Sequence, residues 1–235
     1  MDEACTNLFN FGDNDFEKIR EDIRARVGEK MSECAIRYIV GISGDADPDR
    51  RVEIESILES FTLQFQGGDY AILTGGTEGG VPQLGVEVAK KLEIPTIGVF
   101  PKQGRKYALL KSLDIAIETS SPDIGDGIFG SETPTYVSML DGATIIGGSY
   151  GTLTEASTIL KTNSKRARDR ARGVDGALPP LYFAPISGTG GVADLAYSIR
   201  NNLGDDIGSS MPRNPVATGE DAAQFIKDSL ESHQN

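Results

Sequence analysis

The chain has 235 residues, 38% of them hydrophobic, with 28 glycines and 11 prolines, which suits one large, turn-rich α/β domain. Lysine and arginine number 23 against 35 acidic residues, and the net charge of −12 argues against nucleic acid or an anionic membrane as a main partner. The single histidine, His233, lies in the C-terminal tail, which excludes a Ser-His-Asp triad and any multi-histidine metal site.

In chain order, Phe16, Ile19, Ile23 and Val27 recur at helical spacing among charges, predicting an amphipathic helix from about Asp13 to Met31. Residues 1–35 are therefore expected to form a helical segment packed on a core of residues 36–235. The core repeats one pattern of apolar strand, glycine-rich turn and helix. Ile36–Ile42 is the first strand and leads into Ser43-Gly44-Asp45-Ala46-Asp47 and a helix from about Asp49 to Phe65. Tyr70–Leu73 leads into Thr74-Gly75-Gly76-Thr77-Glu78-Gly79-Gly80 and a helix through Lys91. Thr96–Phe100 is a third strand, and Ile115–Glu118 a fourth after a helical Lys106–Leu113. Ala143–Ile146 runs into Gly147-Gly148-Ser149-Tyr150-Gly151-Thr152 and a helix to about Leu160. Leu181–Ala184 runs into Ser187-Gly188-Thr189-Gly190-Gly191, a helix Val192–Asn202 follows, and Asp221–Leu230 closes the chain. Strands alternating with helices imply a Rossmann-like, doubly wound parallel sheet in a single domain.

Two segments break the pattern. Ser120–Ser131 reads as a mobile, glycine-rich acidic loop. Lys165–Arg172 (KRARDRAR) is a basic run in an acidic protein. It reads either as a solvated helix end, where cations favour the dipole, or as a clamp for phosphates or an acidic partner.

The four glycine loops follow strand ends on one edge of the sheet, the edge where open α/β sheets bind ligands. Glycine lets the backbone reach positive φ and lets a ligand approach it, and the next helix offers free amides and a positive dipole end. Thr77, Ser149, Thr152, Ser187 and Thr189 add hydroxyls suited to phosphate or ribose, as does Ser43, and Asp45 or Asp47 suits a ribose hydroxyl or an N-cap. Neither a Walker lysine pattern nor a true GxGxxG is present.

These loops resemble the SLOG superfamily, which includes Lonely Guy proteins (once labelled lysine decarboxylases), DNA-processing protein A and the TRPM N-terminal region. Gly147-Gly148-Ser149-Tyr150-Gly151-Thr152-Leu153-Thr154-Glu155 is similar to the Lonely Guy motif PGGxGTxxE. Leu73–Val81 is similar to the TRPM sequence TGGTxxGV, and Ser187–Asp194 to the TRPM sequence GSGRxAD. The likeness runs from about Ile36 to Leu203 and is nearest the TRPM-like branch. It implies an ADP-ribose-like or other nucleotide ligand, held by Ser43, Gly44, Gly75, Gly76, Thr77, Glu78, Gly79, Gly148, Ser149, Tyr150, Gly151, Thr152, Ser187, Gly188, Thr189 and Gly190.

Lonely Guy enzymes hydrolyse the N-glycosidic bond of nucleoside monophosphates with an arginine and the motif glutamate. Glu155 matches the glutamate, but the arginine's place falls near Glu132, and Glu132–Asp141 contains no cation. Arg105 is a candidate replacement. The expected function is thus nucleotide binding or sensing, with hydrolysis through Glu155 and an interaction protein with a decayed pocket as the alternatives. The resemblance also implies a homodimer. No cofactor and no metal is expected. The start, Met1-Asp2-Glu3-Ala4, is unlike a signal peptide and no apolar run approaches the roughly 20 residues that span a bilayer, so a cytoplasmic protein with Cys5 and Cys34 reduced is expected.

Overall fold

The structure, a computed structural model, describes residues 8–11, 16–45, 50–119, 130–200, 202 and 205–232. The strands are β1 (Leu8–Phe11), β2 (Tyr38–Gly44), β3 (Tyr70–Thr74), β4 (Thr96–Pro101), β5 (Ile115–Thr119), β6 (Gly142–Ile146) and β7 (Tyr182–Phe183). The helices are α1 (Phe16–Glu33), α2 (Arg51–Leu63), α3 (Gly80–Lys91), α4 (Thr133–Met139), α5 (Tyr150–Ala171), α6 (Gly191–Arg200), α7 (Asp205–Gly208) and α8 (Gly219–Ser232). The strands form one sheet in the order β1-β5-β4-β3-β2-β6-β7, and every pair is parallel.

Strand periodicity makes the sheet two-sided. Ile39 faces one layer with Ile23 of α1, Tyr136 of α4, Ile159 of α5 and Ala193 of α6. Its neighbours Val40 and Ile42 face the other, with Leu58 of α2, Val88 of α3 and Ile226 of α8. Helices thus cover both faces, as the near-continuous apolar strands require. The crossovers run outward from β2 in opposite directions, through β3 on one side and β6 on the other. That divergence opens a crevice at the carboxyl ends of β2, β3 and β6.

The Rossmann-like fold expected from the sequence is present, with three local corrections. β1 adds a seventh, edge strand at Leu8–Phe11, inside the stretch 1–35 expected to be helical. Lys106–Leu113 is not a helix: Lys102–Tyr107 form a 3₁₀ turn, and the chain then pairs with the loop after β3. The Leu109 amide donates to Gly76 O (2.8 Å), the Glu78 amide to Tyr107 O (2.8 Å), and Thr77 and Ala108 form an antiparallel bridge. Those backbone bonds compete with, and replace, the helical ones. Finally, α5 runs to Ala171 rather than about Leu160. The expected loop Ser120–Ser131 falls, apart from Gly130 and Ser131, outside the described residues, as do Ala46 and Asp47.

Candidate functional site

A cavity of about 270 Å³ occupies the crevice. Its walls come from the end of β2 (Ile42, Ser43, Gly44, Asp45), the turn after β3 (Gly75, Thr77, Pro82), β4 (Val99, Pro101), Glu132 before α4, and the first turns of α5 (Ser149, Gly151, Thr152, Glu155). β2 and β6 bring two of these groups together through their register, in which Ser43 pairs with Ile145 and Gly44 with Ile146. Gly44 admits no side chain, because a Cβ there would run into the Ile146 carbonyl. The backbones of the two strands therefore stay close beneath the cavity.

The first turn of α5 faces this space. The amides of Tyr150, Gly151 and Thr152 lie ahead of the first intrahelical acceptor, and Leu153 N is the first to close a turn, donating to Ser149 O (2.9 Å). Three free amides and about half a positive charge are available to an anion there. Gly151 is exposed, and a Cβ on it would meet open space. Tyr150 points away from the wall and is 89% exposed.

Glu155 lies one turn further along α5, where it accepts a hydrogen bond from the Ser43 hydroxyl. Burial pushes its carboxyl up to about 7; the Ser43 bond works against this and the Glu132 charge works with it. Burial also raises the Glu132 carboxyl, although that group accepts from the Gly130 amide (2.7 Å). Beside Gly41, the Tyr136 hydroxyl is buried without a hydrogen-bond partner. Asp45, Glu132 and Glu155 line the cavity, and no lysine or arginine among the described residues does. Arg105 is committed elsewhere, 3.4 Å from the buried Glu118.

Of the residues singled out from the sequence, Ser43, Gly44, Asp45, Gly75, Thr77, Ser149, Gly151, Thr152 and Glu155 line this cavity. The others serve the loops themselves. Gly76 packs against Gly98, where a Cβ would come within 2.7 Å of its Cα. The Gly79 amide donates to Gln83 Oε1 (2.8 Å), and the Glu78 amide to Tyr107. The Ser187 amide donates to Val216 O (2.7 Å). The amides of Gly188 and Gly190 both donate to the Asp194 carboxylate, at 2.6 and 3.1 Å. Thr189 Oγ1 accepts from the Gly147 amide (2.8 Å) and donates to Ile186 O (2.6 Å). At Gly148, whose carbonyl accepts from Val192 N (3.2 Å), a Cβ on the facing Gly191 would strike that same carbonyl. The fourth glycine loop thus closes on the third rather than on the cavity. Glu132 was missed as a wall residue. Its only sequence signal was its place where the Lonely Guy pattern has arginine.

Helices on both faces of a parallel sheet, with a crevice at the strand-order divergence, define a Rossmann-like α/β protein. The chain belongs to the SLOG cluster4 family, whose model matches residues 37–166. The SLOG resemblance read from the glycine motifs is thereby borne out. Among solved structures, the chain is similar to the Moco carrier protein of Chlamydomonas reinhardtii, at 21% identity and a TM-score of 0.57, over 83% of this chain and 99% of that one. It is likewise similar to the molybdenum cofactor binding protein of Rippkaea orientalis, at 24% identity and a TM-score of 0.55, over 83% and 98%. At these identities the likeness is one of fold. No curated protein matches the sequence. Among the described residues, no helix is long and apolar enough to cross a membrane.

Proposed function

We propose that the chain binds a nucleotide-type small molecule in the crevice and holds it without turning it over. The observation that carries this reading is the pairing, in one cavity, of the open first turn of α5 with the carboxylates of Asp45, Glu132 and Glu155. Phosphate belongs at the amides of Tyr150, Gly151 and Thr152. Hydroxyl or amino donors of a sugar or base belong opposite the acidic wall, where an anion would be repelled. An ADP-ribose-like ligand meets both demands, with its phosphates on the α5 side alone, since Asp194 occupies the amides of Gly188 and Gly190. The neighbours named for the molybdenum cofactor make that molecule a second ligand to try.

The test is a melting screen with adenosine monophosphate, ADP, ADP-ribose, NAD and the molybdenum cofactor. A ligand at 100 times its Kd adds about 2.7 kcal/mol, an easily read change in melting temperature. Gly151→Val places bulk on the exposed turn without touching the core, and it should abolish that change in a folded protein. An unchanged response in Gly151→Val would remove the phosphate from α5. No response to any of these compounds would remove the reading.

A second reading, nucleotide N-glycosidic hydrolysis, draws on one observation: a carboxyl poised near 7 suits general acid–base chemistry. Against it stands the acidic wall, because a missing transition-state cation commonly costs about 10²–10³ in rate. Adenosine monophosphate should therefore turn over well below the usual enzyme range of roughly 1–10³ s⁻¹. Turnover within that range, abolished by Glu155→Gln, would make this the better reading.

A further inference from the structure

A second cavity, of about 460 Å³, lies at the opposite edge of the sheet, beside the amino-terminal ends of β2 and β7. Arg20 and Arg24 of α1, Arg37 just before β2 and Arg166 of α5 line it, with Asp141 as its single carboxylate among the described residues. Four guanidinium groups, from α1, the connection that follows it and the distant α5, meet here in a chain whose net charge is −12. Chance clustering of cations against so acidic a background is disfavoured by their mutual repulsion.

Much of the positive charge is not neutralised by Asp141. That carboxylate accepts from Arg20 (2.5 Å), from Arg24 (3.0 Å) and from the Ile39 amide (2.9 Å), so two guanidinium groups share it. The other Arg20 nitrogen donates to the carbonyls of Ser138 and Leu140, which makes Arg20 a structural tie. Arg24 is less well served: its Nε is buried without a hydrogen-bond partner. Burial and the Arg20 charge both lower its affinity for the proton, against the pull of Asp141. Arg37 is exposed, sits 5.1 Å over the Tyr38 ring and makes no ion pair among the described residues. Arg166, only 4% exposed, comes from the basic run of the sequence and donates to Pro179 O (3.0 Å). Arg170 of the same run donates to Leu178 O (3.0 Å). Together they fix the proline-containing wall of the cavity.

The geometry points to a second binding site, formed around Arg24 and Arg37, for a small polyanion bearing phosphate or carboxylate groups. Guanidinium forks bind such oxyanions in two-point fashion, and Pro179, Pro180 and Tyr182 offer an apolar wall for the organic body. The volume falls within the range of small-molecule sites. The seven residues of β2 separate this cavity from the crevice by roughly 20 Å, so the two sites are independent.

The experiment titrates the full chain with pyrophosphate and, separately, with citrate at constant ionic strength, using calorimetry and melting temperature. Wild type, Arg37→Gln, Arg24→Gln and Gly151→Val are compared. Gly151→Val, whose α5 turn is blocked, is expected to keep binding at least one probe, and Arg37→Gln to weaken that binding about tenfold or more. The preferred probe distinguishes a phosphate from a carboxylate ligand. Arg37 is exposed and pairs with no acid among the described residues, so its variant keeps the fold even where Arg24→Gln does not. Three results would overturn the site: neither anion binding at millimolar concentration, equal affinity in Arg37→Gln and wild type, or loss of binding in Gly151→Val. The last would place the probe in the crevice and bear on the α5 reading instead.

Discussion

Among single residues, Glu155 concentrates the chemistry of the crevice. Its carboxyl titrates at about 7 in the fold and near 4.5 in an unfolded chain, because burial and Glu132 disfavour the charge more than Ser43 supports it. A carboxyl raised in this way contributes stability that is fully present below about 4.5 and is lost as the pH rises toward 7. Each pH unit between the folded and unfolded titration points is worth about 1.4 kcal/mol. Between about pH 5.5 and about pH 8, wild type should therefore lose on the order of 2 kcal/mol relative to Glu155→Gln, whose amide does not titrate. Urea unfolding of both proteins at the two pH values checks this. A constant difference between them would mean that Glu155 keeps an ordinary carboxylate. The residue identity was legible in the motif, since Glu155 stands where the Lonely Guy pattern places its glutamate. Its partner Ser43 was marked only as a loop hydroxyl, because 112 residues separate the two and only the β2–β6 register joins them.

At the level of elements, six strands and their helices could be read from apolar runs and glycine turns, and the misreadings share a physical cause. Where tertiary bonds replace local ones, periodicity misleads. The helix expected to end at about Leu160 runs through Asn163, a residue whose side chain can compete for backbone bonds. In the structure that competition is directed outward: its amide donates to Leu181 O (2.8 Å) and its carbonyl accepts from Leu181 N (2.7 Å). Asn163 thus supplies hydrogen bonds just before the short edge strand β7, and α5 continues past it to Ala171, two residues before Gly173, the first glycine after Gly151. The loop before α6 shows the same principle in reverse. Its glycines looked like a phosphate cradle, but the helix's own Asp194 occupies the amides, as an N-terminal carboxylate does in a capping arrangement. Asp194→Ala should lower stability by about 1 kcal/mol, read from the urea midpoint, and leave any ligand-induced rise in melting temperature intact. Loss of that rise with stability unchanged would return the loop to the ligand site.

For the molecule as a whole, the question is what fastens α1, a helix dominated by charged residues, to a sheet built, apart from β1, from the residues after it. Ile23, Val27 and Met31 supply a narrow apolar stripe against the core. Among the described residues, the polar ties from α1 to the rest of the fold centre on Asp141, just before β6. Through that carboxylate α1 is joined to the β2 backbone at Ile39, while Arg20 also reaches the end of α4 through Ser138 and Leu140. Removing one member of such a network leaves the others desolvated and unpaired, at a cost of about 3–5 kcal/mol, whereas removing both sides is far milder. Asp141→Ala should therefore destabilise the protein by about 3 kcal/mol, with amide exchange in α1 accelerated more than in β2 through β4. Adding Arg24→Met to Asp141→Ala removes one stranded charge, the one whose Nε has no partner of its own, and should restore part of the loss. Arg20 keeps its two carbonyl acceptors in either background and needs no replacement. A double variant no more stable than Asp141→Ala, measured by urea unfolding, would show that the network fastens α1 by geometry alone and that unpaired charge is not what its loss exposes.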